Sequence, residues 1–313
     1  MKAACITWVG AQMPVIELKT ILNAAGLDTA TLQDISPEET VRKVYTLVVA
    51  GAEAIRVWGK LRDAVNETGY WPVLAGSPAE FKSRDLETLL KKLHDIPEFI
   101  ERGMDLSVNQ WLEKEMARVD FREQEVSAET GIAMHAALDE HANHMSAESL
   151  QKFEDTARSV GVDPDRWLGG EYTCLHCPAI KVRPTRDEDL IGHKNILTNE
   201  PYDQVVILLT PTKTPWEVAA FLNIGCGSQL HEPHEHFAIH KFWHENYGAE
   251  IVTSTNDTVE MIVKRPPTSI DEAHKLAQQQ FVYAPDIVNH GTGKTSALAS
   301  QLINGTTWYF WWD

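Results

Sequence analysis

A chain of 313 residues with 43% hydrophobic content can bury a sizeable core, enough for two domains or one large one. A formal net charge of −17 argues against a nucleic-acid partner, which would need Lys and Arg on its phosphates, and leaves room for a basic protein partner. No apolar run approaches the roughly 20 residues of a membrane span, four cysteines make no disulfide framework, and the opening Met1–Gly10 is too short and mixed for a secretory leader, so a soluble cytoplasmic protein is expected.

Residues 1–92 read as a mixed α/β region. A short strand is expected from Ala3 to Val9, and a helix after Pro14 with Val15, Leu18, Ile21 and Leu22 on one face. A second helix is expected near Pro37, and one or two more between Val41 and Val65. Tyr70 to Ala75 reads as a strand ending at Gly76, with Pro72 placing it at a sheet edge or limiting its pairing. Residues 93–166 read as an acidic helical insert. Between Asp95 and Arg166 there are 17 Asp and Glu against 7 Lys and Arg, a balance of −10. Apolar spacing there predicts helices over Ile96–Ile100, Leu106–Met116, Ile132–Leu138 and Leu150–Val160.

Residues 167–313 read as a C-terminal α+β domain. After an irregular stretch holding Cys174 and Cys177, the pattern predicts a strand over Val205–Leu209, a short helix or extended segment over Trp216–Leu222 and a helix over Glu235–Tyr247 stopped by Gly248. Strands over Ala249–Ser254 and Thr258–Lys264 follow as a hairpin, then helices from Ser269 to Phe281 and Ser296 to Leu302. The chain ends Thr306-Thr-Trp-Tyr-Phe-Trp-Trp-Asp313. Five aromatics in a row do not alternate with polar residues, so this last strand is expected to be covered on both faces rather than half exposed at an edge. The order of elements matches a ferredoxin-like, split βαβ arrangement with helices on one face of a four-stranded sheet.

The C-terminal residues resemble a bacterial family known as domain of unknown function 4253. The resemblance spans residues 203–313 and rests on Glu235-His236, Trp243, Tyr247-Gly-Ala-Glu250, Glu260, Pro266-Pro267, Pro285-Asp-Ile-Val288, Gly291 and the ending Trp308–Asp313. The earlier Trp58 to Leu74, with Gly69-Tyr-Trp-Pro-Val-Leu74, weakly resembles the front part of longer members. The family implies no established activity. This chain has Ala284 where members often carry cysteine, which removes the basis for a shared thiol chemistry.

Several motifs invite chemistry, each with a plainer reading beside it. His231, His234, His236 and His240 lie close together, with His244 one turn further, and neutral imidazoles at this spacing can take zinc or another transition metal. The same His236 shares a stripe with Ile239, Trp243 and Tyr247, which is how a helix face packs on a sheet. Gly291-Thr-Gly-Lys-Thr295 evokes a phosphate loop, but Val288 stands where the first glycine is required, so a glycine turn into a helix is the plainer reading. Cys174-x-x-Cys177 lacks a second pair, Cys5 and Cys226 being isolated. His135, Asp139, Glu140, His141 and His144 pair at i, i+4 like many solvated helices. His236, Trp243, Tyr247, Glu250, Asp286 and Trp308 form the candidate pocket. If the carboxylates, with Glu260, converge there with His236, acid–base chemistry becomes feasible.

Read from these residues, the chain is expected to be a non-enzymatic interaction protein, regulatory or immunity-like, whose acidic helical insert offers a surface to a basic protein partner, with no cofactor. Its alternatives are a metal-dependent hydrolase built on the histidines, with Glu235 or Asp286 as base, and a nucleotide binder at Gly291–Thr295.

Overall fold

The computed structural model describes residues 15–38, 40, 43–84, 90, 92–121, 183–196, 198–222, 224 and 231–312. The expected strand over Ala3–Val9, the helices over Ile132–Leu138 and Leu150–Val160, all four cysteines and the His135–His144 cluster lie outside them.

One mixed sheet organises what is described, in an α+β arrangement. Its strands are β1 (Gln33–Asp34), β2 (Tyr45–Ala50), β3 (Trp71–Leu74), β4 (Gln204–Thr210), β5 (Glu250–Ser254), β6 (Thr258–Ile262) and β7 (Thr307–Trp311). They lie in the order β1-β2-β4-β3-β5-β6-β7, antiparallel except for β3 and β5, which meet in parallel at Leu74 and Thr253. Strands from residues 33–74 and 204–311 thus share one sheet. A split βαβ sheet would pair its last strand with its first. Here β7 pairs with β6, and β3 separates β4 from β5. The ferredoxin-like order is therefore not the one formed, because a strand from the first part of the chain occupies the position beside β4.

Alternation along the strands builds a core on each face. Tyr45 and Leu47 of β2 with Val205, Ile207 and Leu209 of β4 face α1 (Val15–Ala24) and α2 (Ala54–Asp63). Helix α1 presents Leu18 and Leu22, both with no exposed surface, as the i, i+4 spacing requires. A third, one-turn helix, α3 (Val65–Thr68), ends at Gly69, whose φ of 76° closes it in the left-handed region. The short α4 (Pro78–Ser83) starts from a Ser77–Glu80 capping box.

On the other face, α8 (Pro233–Tyr247), α9 (Ile270–Tyr283) and α10 (Thr295–Leu302) cover β5, β6 and β7. Helices α5 (Ile96–Asp105) and α6 (Val108–Met116) pack outside them, and α7 (Val218–Phe221) lies against α5. Gly103 lets α5 approach α8, since a Cβ there would lie 2.7 Å from the His234 carbonyl oxygen. Among the described residues no helix is long and apolar enough to cross a membrane.

Four further expectations are corrected. Val41–Val65 holds strand β2 before helix α2, and near Pro37 there is a turn, Thr40 N–H donating to the Pro37 carbonyl at 3.0 Å. Strand β3 is interior despite Pro72. Ala75 donates to the Val206 carbonyl, which by alternation turns the Pro72 nitrogen toward β5, and pairing on that side is confined to Leu74 and Thr253. Strand β7 is an edge: among the described residues it pairs only with β6. Trp308, Phe310 and Trp312 are buried, while Tyr309 is 37% exposed and Trp311 half-buried.

Candidate functional site

The histidine helix begins with Pro233 in its first turn and a Glu232–Glu235 capping box, both suited to a helix start. Glu235 also accepts the Trp111 indole N–H at 2.9 Å, fixing α6 to this end of α8. One turn apart on the inner face, His236 and His240 meet the last residue of α9. The Tyr283 hydroxyl lies 2.7 Å from His236 Nδ1 and 3.0 Å from His240 Nε2. His231 stacks on the Tyr283 ring at 5.2 Å and sets its Nε2 2.8 Å from the Tyr283 carbonyl oxygen.

Burial decides the protonation of this group. Full enclosure pushes the His240 imidazole down to about 3 and the Tyr283 phenol well above its ordinary range. His231 and His234 are also lowered, mainly by burial. A neutral His240 carries one N–H, and its Nδ1 has no partner within the core. Placing the proton on Nε2 avoids a stranded donor, the costlier outcome. His240 then donates to Tyr283 Oη, and the Tyr283 hydroxyl donates to His236 Nδ1.

Of the six residues expected to form a pocket, four come together, as packed core. Trp243 meets Tyr283 at 5.0 Å, Trp308 at 5.6 Å and Phe310, stacked, at 5.2 Å. Tyr247 lies 5.4 Å from Trp308, and His236 6.5 Å from Trp312. Trp243 and Trp308 are at most 1% exposed. Glu250 projects to the opposite face of the sheet, where Arg62 donates to its two oxygens at 2.9 and 3.1 Å and Lys264 at 2.5 Å. It ties α2 to β5 and does not join His236. Asp286 starts a π-helical turn, Ile287–Thr292, and lies 3.8 Å from His290.

No group of three or more metal-ligating side chains is placed to hold an ion among the described residues. His231, His236 and His240 each point a ring nitrogen at Tyr283 rather than at one another. At Gly291–Thr295, Gly293 takes φ 72° and donates to the Val288 carbonyl before Lys294 caps α10. This is the glycine turn into a helix. Glu260 is 1% exposed and accepts the Ile191 and Gly192 amides at 2.6 and 2.8 Å. Burial raises its carboxyl, while those hydrogen bonds oppose the rise. Glycine is required at 192, where a Cβ would fall within 2.8 Å of Glu260 and closer still to Thr253. Glu260 thereby clamps the segment 185–196 onto the sheet, a role its sequence neighbourhood does not signal.

That clamp forms one wall of a cavity of about 740 Å³ that sequence reasoning missed. Leu190, Ile191 and Ile196 line it on one side of β7, and Ile287, Leu298 and Leu302 on the other. Tyr309 and Trp311 lie between them. In an antiparallel pair alternate residues bond to the neighbour. Val263 donates to the Thr306 carbonyl at 2.7 Å and Trp312 to that of Asp257 at 2.9 Å. By that register Trp308 and Phe310 bond to β6, and the backbones of Thr307, Tyr309 and Trp311 turn outward. Thr185 Oγ1 donates to the Thr307 carbonyl at 2.6 Å, while the backbone groups of Tyr309 and Trp311 meet no partner among the described residues. Asp189, Glu260 and Asp286 bring carboxylates to the cavity and His290 an imidazole, and among the described residues no Lys or Arg lines it.

No curated protein and no solved structure matches the chain. Residues 206–313, which carry the histidine helix, Tyr283 and β7, match the family model described as a domain of unknown function (DUF4253), the family the C-terminal motifs resemble.

Proposed function

We propose that this is a non-enzymatic interaction protein, regulatory or immunity-like, which holds a basic protein partner in the cytoplasm. The observation that carries the reading is the cavity beside the chain's last strand, where the backbone of Tyr309 and Trp311, unpaired among the described residues, lies among apolar walls and carboxylates. Edges of this kind are sites of association unless they are covered. The net charge of −17 supports the choice of partner, since such a field speeds the encounter with a basic surface. The histidines support it too, because His236 and His240 direct their hydrogen bonds to Tyr283 inside the core.

Selection of a phage-displayed random peptide library on the immobilised full-length chain tests the reading. Enriched sequences rich in Lys and Arg, binding in solution with an affinity that falls as salt rises, are the expected result. No enrichment would overturn it. So would a stoichiometric transition metal in the purified protein together with hydrolysis lost on chelation, which would favour a metal-dependent hydrolase using His231, His234, His236 or His240.

A further inference from the structure

We infer that the partner contributes an extended basic segment that pairs with β7 and lengthens the sheet by one strand. This rests on the interaction reading above and specifies how the contact is made. The outward N–H and C=O groups of Tyr309 and Trp311 supply a ladder for main-chain pairing. An added strand would lie about 4.8 Å from β7 and send successive side chains to opposite faces. The cavity straddles the edge, so both sets of side chains find a wall: Leu190 and Ile196 on one face, Ile287 and Leu298 on the other. Strand addition with alternate side chains in pockets is an established mode of peptide recognition.

Charge selects the occupant. Asp189 stands on the first wall and Asp286 on the second, while Glu260 is closed off by the Ile191 and Gly192 amides. Arg183 pairs with Asp189 at 2.8 Å through one of its nitrogens, and His290 faces Asp286. Lysine or arginine would lay its apolar stem along the isoleucines and leucines and carry its charged end toward the carboxylates. A second copy of the chain would bring its own carboxylates to the same edge and so fits poorly.

A short peptide of alternating lysine and valine, and its glutamate–valine counterpart, serve as probes of the full-length chain. Hydrogen exchange at Tyr309 and Trp311 and fluorescence anisotropy are the readouts. The lysine peptide should bind, slow exchange at both amides and weaken with salt, while the glutamate peptide binds at least about tenfold more weakly. Tyr309→Pro removes one outward donor without touching the bonds to β6, and should reduce binding by about tenfold or more while the fold, checked by thermal melting, persists. Asp286→Asn should weaken the lysine peptide selectively. Slow exchange at Tyr309 in the free chain would overturn the inference, with sedimentation separating coverage by a second copy from coverage by the chain itself. Library peptides whose binding ignores Tyr309→Pro would also overturn it while leaving the interaction reading standing, whereas an absence of library binders would remove both.

Discussion

Tyr283 has one hydroxyl proton and two imidazoles beside it, and all three groups sit where water does not reach. Replacing it with phenylalanine keeps the ring contacts but strands His240 Nε2–H and His236 Nδ1, at a cost of about 1–3 kcal/mol. Chemical denaturation of Tyr283→Phe should show that loss, with part of it regained when His240→Leu is added. The pH dependence follows from the same enclosure. The His240 pKa is lowered from about 6.5 in the unfolded chain to about 3 in the fold. Between those values the unfolded chain binds the extra proton, so the stability tied to neutral His240 is complete above about pH 6.5 and declines as pH falls toward 3. Glu260, with its carboxyl raised by burial, acts with the opposite sign. The comparison of His240→Leu with the parent therefore carries the prediction: the variant should lose less stability between pH 6.5 and pH 4, measured by urea titration.

Within the elements, β7 makes the sharpest forecast. Proline at 309 removes a donor that faces away from β6 and should cost about 1 kcal/mol or less beyond the side chain's own packing. Proline at 310 removes a donor bonded to β6 and deletes a ring with no exposed surface, and should cost about 3 kcal/mol or more. Equal losses in paired denaturation curves would contradict the register. The same strand shows how far sequence carries. That the aromatic run is a strand is legible from its composition, but its edge position is not, since Tyr309 and Trp311 are aromatic on the exposed face too and hide the alternation. Val44, Leu47 and Val48 repeat at i, i+3 and i+4, so β2 imitates a helix until its partners are known. Helix α8 was legible from Tyr247-Gly248, and so was the shared face of His236 and His240. What they face was not, because Tyr283 comes from a different helix. Glu260 and Gly192 meet across a gap of 68 residues that no local pattern spans.

Across the whole molecule, strand order bears on which part of the chain can fold by itself. The matched region begins at residue 206, and a boundary near 203 looks natural in the sequence. In the sheet, however, β4 pairs with β2 on one side and β3 on the other, and with nothing C-terminal to it. Removing the first part of the chain leaves β4 without a strand partner and opens the β5 edge where Leu74 met Thr253. It also uncovers Val205, Ile207 and Leu209, which α1 and α2 bury. Burying each such side chain is worth about 1.5–3 kcal/mol, so this loss rivals the net stability of a typical domain. An excised 203–313 fragment should therefore lack the near-ultraviolet circular dichroism of its packed tryptophans and unfold without a cooperative transition, and co-expression with residues 1–92 should restore both. If the fragment alone melts cooperatively with that signal intact, the β5–β6–β7 meander and helices α8, α9 and α10 hold themselves together, and the N-terminal strands are an addition to the fold rather than a condition of it.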